Sequence, residues 1–452
     1  MTVPESTGLA RRLVGQAKLG EQIEVCAGSA VRTEVRVHGG EVESLTVAES
    51  RGVGVRLVID GREGFAHAGT FDADVVSELV AEARDNAAFA EADERVGLAE
   101  PDGVDAVDLD PGDDRIASTS VDEKLALALD LERATVGADP RVRNVRTAVY
   151  ADTRAESAIV SSLGIDGWDR GASCSLSTSA LVNDPDGSTR TGGAVDAAGA
   201  PQDLDIEKVA RLAVERGVQL IGAGPATTGR PVVVLEPRFA ATVLGIVAGM
   251  LSGERVVKGR TPFANRVGEQ VAASALSLAD DPIDADSLSA SSFDGEGIAC
   301  RRVPLITDGE LNGFLHDSRS ARGLGTATTG SALRGIRGTP SPGHRSLSVA
   351  PGDGDLEGFL SSINDGLLVA SLQGLHSGVN AVSGDLSVGV EGIVIRDGER
   401  AEPIREGTLA GAIPRILLDI VAVGADLERL PGGSLMSTLV LEGLTLGGGS
   451  AA

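Results

Sequence analysis

Residues 22–68 read QIEVCAGSAVRTEVRVHGGEVESLTVAESRGVGVRLVIDGREGFAHA. Within them Ile23 and Val25, then Val35 and Val37, then Val53, Val55, Leu57 and Ile59 recur at period two, the spacing of half-buried strands. His38-Gly39-Gly40 and Asp60-Gly61 supply turn chemistry between the runs, so the stretch predicts an antiparallel meander. Working outward, Val75, Val76, Leu79, Val80 and Ala83 fall on one helical face, and the acidic, Pro- and Gly-bearing segment 100–114 reads as a surface connection. Ser120-x-x-Glu123 is a capping box opening a second helix through Leu125 and Leu129. Residues 142–195 return to strand character, with Ser173, Ser175, Ser177 and Ser179 alternating with Cys174, Leu176 and Thr178. A third helix is predicted over 205–221, from Val209, Leu212, Ala213 and Leu220, with Gly217 weakening its second half.

The glycine-rich break 222–229 is the best domain boundary. Beyond it come a strand at 231–235, one apolar helix, a long glycine-rich region of strands and turns, and a last helix at 414–423, where Pro414 suits the first turn. No fixed-period repeat is present. The pattern is α+β: an N-terminal α/β domain (1–115) with an antiparallel sheet and flanking helices, a middle α/β region (116–225) packed with it, and a strand-rich, barrel-like C-terminal domain (226–452).

At 452 residues and 42% hydrophobic content the chain can bury sizeable cores, built from Val, Leu, Ile and Ala because aromatics make up only 2%. A net charge of −26, with no basic block to offset it, argues against nucleic acid and anionic lipid as partners. Cys26, Cys174 and Cys300 are isolated, which indicates neither a disulfide framework nor a zinc ribbon. The start lacks a signal peptide's apolar core, and the apolar stretch 239–251 is too short to span a bilayer, so a soluble cytoplasmic protein is expected.

The search for chemistry returns mostly turns. Residues 224–231 have phosphate-loop glycine spacing but lack its Lys and Ser/Thr, and a strand follows where a helix is needed. No G-x-S-x-G elbow occurs. His38, His67, His316, His344 and His376 include no pair within one helical turn, so no local two-histidine metal motif exists. Asp280-Asp281-Pro282 and Asp294-Gly295-Glu296-Gly297 lack the alternating ligand spacing of a calcium loop and read as turns between strands. His316-Asp317 reads as an ordinary hydrogen-bonded pair.

Ordered blocks nevertheless accumulate in the C-terminal half: Asp280-Asp281-Pro282, 293–297 (FDGEG), 305–309 (LITDG), 317–321 (DSRSA), 329–334 (TGSALR), 365–369 (DGLLV), Gln373-Gly374, 383–387 (SGDLS), 408–411 (TLAG) and 423–426 (VGAD). With 49–55 (ESRGVGV) near the start, their order and spacing resemble the TldD/PmbA family. The resemblance implies two kinds of subunit. The TldD kind carries H-E-x-x-x-H on the helix before a Leu-x-Gly-acidic segment, with a cysteine near the C-terminus. Here that segment is 251–254 (LSGE), followed by 267–269 (VGE). Counting back puts Leu244, Gly245 and Gly249 at the histidine, glutamate and histidine positions, and 430–434 (LPGGS) holds no cysteine. Leu and Gly offer zinc no donor and its water no base. The chain thus resembles the TldE/PmbA kind.

The resemblance implies a non-catalytic subunit that binds no metal itself, with zinc held by a TldD-type metallopeptidase partner, acting on unfolded or leader-bearing peptides in extended form. Thr329, Gly330 and Arg334, with His316, are the candidates for the peptide path or the subunit interface, since the small-residue run ends in an Arg able to hold a carboxylate or carbonyl. The alternative, in another functional class, is a homodimeric peptide-binding or chaperone-like protein without hydrolytic activity. A homodimer in the absence of the partner fits either reading.

Overall fold

The structure is a computed structural model describing residues 4–109 and 115–448. Of the expected surface connection, residues 100–109 carry neither helix nor strand, and 110–114 lie outside the described residues.

The predicted meander forms as β1 (Gln22–His38), β2 (Glu41–Ile59) and β3 (Arg62–Ala68), all antiparallel. It does not stop there. β4 (Val142–Ser161) pairs along the other edge of β1, and β5 (Asp166–Asn183) and β6 (Thr189–Ala198) continue the sheet in the order β3-β2-β1-β4-β5-β6. One sheet therefore serves two cores. Ile23, Val25 and Ala27 pack with Val53, Val55 and Leu57 under the helices Glu5–Val14 and Leu79–Phe89. Val35 and Val37, farther along β1, pack with Tyr150 and Leu176 under the helices Val121–Gly137 and Ile206–Val218.

Local signals place these helices well. The Ser120–Glu123 capping box is present with both of its hydrogen bonds. Asp205 caps the third helix by accepting the Lys208 N–H at 2.9 Å. That helix runs on to Val218 through Gly217, because a Cβ there would sit 2.7 Å from Val182 Cγ2; the missing side chain allows close packing on the sheet. The stretch 75–83 departs from expectation. It breaks at Ser77 into Ala73–Val76 and Leu79–Phe89, and Val75 turns to solvent while Val76, Leu79, Val80 and Ala83 are buried.

In the C-terminal half the strand-rich reading stands, but among the described residues no barrel closes. One open sheet runs in the order 310–311, 303–307, 278–280, 347–349, 435–436, 428–429. A larger one runs 420–423, 439–441, 232–235, 365–373, 385–396, 399–412, 445–447, and its end strands do not meet. The helix Pro237–Met250 explains the opening. Its Phe239, Val243, Leu244, Val247 and Met250 share one core with Leu278, Leu305 and Leu347 of the first sheet and Val233, Leu367 and Leu409 of the second. The sheets close on the helix and not on each other. The last helix is shorter than expected, Ile413–Leu418; after Asp419 the β-branched Ile420, Val421 and Val423 form a strand. Among the described residues no helix is long and apolar enough to cross a membrane.

Candidate functional site

Leu244 is fully buried in the C-terminal core, one of its largest enclosed side chains. One residue on, a Cβ at Gly245 would come no nearer than 4.0 Å to any neighbour, and that neighbour is His344 Nε2. Beside Gly249 there is open space. The three positions therefore present an apolar plug and two gaps. Among the described residues no three His, Cys, Asp or Glu side chains gather where they could hold a metal ion. A metal centre does not fit this helix.

His316, Thr329 and Gly330 come together. The buried His316 donates its backbone N–H to Thr329 Oγ1 at 2.8 Å, and its carbonyl accepts from the Thr328 and Thr329 hydroxyls. Its Nδ1 lies 3.2 Å from Ser320 Oγ, and burial lowers its pKa, which favours the neutral ring. Gly330 adopts φ +67°, and a Cβ there would stand 2.6 Å from the Ala299 carbonyl oxygen. This is a locked turn. Arg334 points elsewhere: its side chain is 1% exposed, Nη1 pairs with Glu24 on β1, and Nε donates to the Gly338 carbonyl at 3.2 Å.

That ion pair belongs to a buried charge cluster across the junction of the two halves. Arg56, on β2 directly opposite Glu24, lies 3.7 Å from Glu24, 3.6 Å from Glu296 and 3.0 Å from Glu63. Glu296 accepts the Ser318 N–H at 2.8 Å and also the Ser318 hydroxyl. Asp294 accepts backbone N–H groups from Glu296, Ile298 and Ala332. Burial pushes Asp294 up to about 6; burial, then repulsion from Glu24 and Asp294, pushes Glu296 up to about 7. The acidic turn 294–297 is a turn, as its sequence indicates, but one that docks the C-terminal half onto the N-terminal sheet.

Sequence reasoning misses Glu24, Arg56 and Glu296 as a group. A signal exists for the first two: period two sends Glu24 away from Ile23 and Val25, and the hairpin register sets it against Arg56. An ionisable residue facing away from one core reads as solvated until something covers it. Here the cover arrives from some 270 residues farther along the chain.

Comparison with known proteins places this architecture. Three stretches match domains described as PmbA/TldA metallopeptidase domain 1 (residues 23–87), central domain (114–221) and C-terminal domain (228–448). The chain is 27% identical over 441 residues to "Metalloprotease PmbA" of Escherichia coli O157:H7, covering 97% of this chain and 94% of that protein. It is 25% identical over 422 residues to "Metalloprotease TldD homolog" of Haemophilus influenzae, covering 88% and 87%. Among solved structures it superposes on a proposed modulator of DNA gyrase from Thermotoga maritima with a TM-score of 0.88 at 25% identity, covering 97% of this chain and 99% of that one. TldE from Thermococcus kodakarensis shares the fold with a TM-score of 0.88 at 23% identity, covering 98% and 99%. With all three domain matches in chain order and relatives aligned nearly end to end, the chain belongs to the PmbA/TldD family of metallopeptidases.

Proposed function

We propose that this chain is the metal-less, non-catalytic subunit of a two-subunit cytoplasmic metallopeptidase, with zinc and the hydrolytic chemistry residing in a TldD-type partner. The observation that carries the reading is Leu244, Gly245 and Gly249 on the helix Pro237–Met250, where the family's metal motif would need two imidazoles and a carboxylate. Overall identity does not separate the two kinds of subunit, since PmbA and TldD relatives stand at 27% and 25%. The lack of imidazole and carboxylate at these three positions supports the metal-less reading.

The substrate in this reading is an extended peptide held by main-chain pairing. Residues 41–52 of β2 support it: β3 pairs only from Val53 onward, so this length has β1 on one side and, among the described residues, no strand on the other. Val42, Leu45 and Val47 are exposed along it. The loop 329–334 with His316 belongs to the same proposal as a support of the peptide path or of the partner interface. Arg334→Ala, assayed in the reconstituted pair at a temperature where the variant is folded, tests that assignment. Unchanged peptide turnover would remove it. The division at 115 and 225 is likewise proposed as the limits of the folding units.

Metal analysis of the purified chain tests the core of the reading. We expect less than about a tenth of an equivalent of zinc after dialysis against buffered zinc, and no cleavage of an unfolded peptide. An equivalent of tightly held metal would overturn it. A metal-free chain that binds peptide as a homodimer and gains no activity from a TldD-type partner would favour the chaperone-like alternative.

A further inference from the structure

Between the N-terminal sheet and the segment 288–297 lies a cleft of about 330 Å³, with Trp168, Asp169, Phe293, Asp294, Arg334 and Arg345 in its walls. Its carboxylates already hold donors: Asp169 accepts from the Ser291 hydroxyl at 2.8 Å and the Ser292 N–H at 3.1 Å, and Asp294 is held by three backbone N–H groups. Arg334 is held by Glu24, although its Nη2 is buried and has no acceptor. Arg345 has the charges of Asp280 and Asp294 near it but, among the described residues, no close partner for its side chain. Its backbone N–H donates to Asp280 at 2.9 Å, but among the described residues its guanidinium makes no hydrogen bond or ion pair, and its Nε is buried without an acceptor. A buried donor left unmade is costly, and a guanidinium is a preformed fork for a carboxylate.

The rest of the cleft narrows the ligand class. Glu156, Asp169 and Asp294 balance Arg170, Arg334 and Arg345 in the walls, so the cleft offers no net positive charge for an anion of charge two, such as a phosphate monoester. Trp168 and Phe293 offer an apolar flank, with Phe293 Cδ1 3.4 Å from where a Cβ on Gly167 would lie. We propose that this cleft binds a monoanionic carboxylate carried on an apolar group, with Arg345 as its anchor. A peptide C-terminus and a free acylated amino acid share this chemistry. The proposal goes beyond the subunit reading and is independent of it, since binding is read on this chain alone.

Trp168 is the only tryptophan in the chain and provides the probe. The full chain is titrated with N-acetyl-L-phenylalanine, with its amide, with phenyl phosphate, and with an acetylated tripeptide ending in Phe, following Trp168 emission and heat in parallel. Saturable binding of the acid is expected, with the amide and the phosphate at least tenfold weaker. Arg345→Gln should weaken the acid at least tenfold and Arg345→Lys by less. Tighter binding of the tripeptide assigns the site to a chain terminus, and equal or weaker binding assigns it to a free acid. Equal affinity for acid and amide, tighter phosphate, an unaffected Arg345→Gln, or no saturable signal with either readout overturns the proposal. Circular dichroism checks the variants, and if Arg345→Gln does not fold, the acid–amide comparison in the parent chain decides alone.

Discussion

Glu24 is fully buried between two guanidiniums, and Arg334 has more than three hundred residues of chain between it and that partner. Removing one member of a buried pair strands the other, at a cost of about 3–5 kcal/mol. Arg334→Ala should lower the unfolding free energy by that amount in urea titration, and a Glu24→Gln, Arg334→Met double variant should recover part of it, because the stranded charge is gone. The acidic members of the cluster set a pH dependence. Glu24, Glu63 and Glu296 face Arg56, Glu24 also faces Arg334, and Arg345 acts on Asp294; the folded state holds Asp294 and Glu296 protonated to about pH 6 and 7. A carboxyl whose folded pKa is raised binds more protons folded than unfolded, so its contribution is full below the ordinary carboxylate range near 4 and is lost as pH rises toward 7. Each tenfold gain in proton affinity on folding corresponds to about 1.4 kcal/mol. Stability at pH 5 should therefore exceed that at pH 7.5 through these groups, and Glu296→Gln should flatten the slope. A parent and variant with the same slope would assign the pH dependence elsewhere.

The helix Pro237–Met250 carries the functional argument among the elements. Leu244→Ala should cost about 2–5 kcal/mol, as a cavity in a closed core does. Gly249→Ala meets open space within a helix and should raise stability by about 0.5–1 kcal/mol. Denaturant midpoints of the two variants check both signs; a destabilising Gly249→Ala would mean that something must approach that position closely. The sequence shows this helix, the meander and the Ser120 cap because each is a local pattern of periodicity or hydrogen bonding. It does not show the break at Ser77 or the strand after Asp419, where tertiary pairing takes over from local preference. The barrel-like reading of the C-terminal half fits its strand content but not its open sheets. Both sheets pack on the helix Pro237–Met250, and no local signal encodes that position.

At the scale of the whole molecule, one sheet joins two N-terminal cores, and one charge cluster joins that sheet to a C-terminal half built around an apolar helix. The family is legible from ordered glycine turns, and the proposal of a metal-less subunit rests on three positions counted back from 251–254. The junction is not legible, because Glu24, Arg56 and Glu296 acquire meaning only when distant segments cover one another. Leu244, Gly245 and Gly249 put no metal-binding side chain on the helix Pro237–Met250, so in the proposed reading activity comes from a second chain. Reconstitution tests that claim most directly. The chain is mixed at increasing ratio with a metal-loaded TldD-type subunit, and cleavage of an unfolded peptide is followed with and without chelator. The account predicts no cleavage by this chain alone, and chelator-sensitive cleavage that rises with added chain and levels off at equal amounts of the two subunits. Cleavage by this chain alone, or a TldD-type subunit whose activity is indifferent to it, would contradict the account.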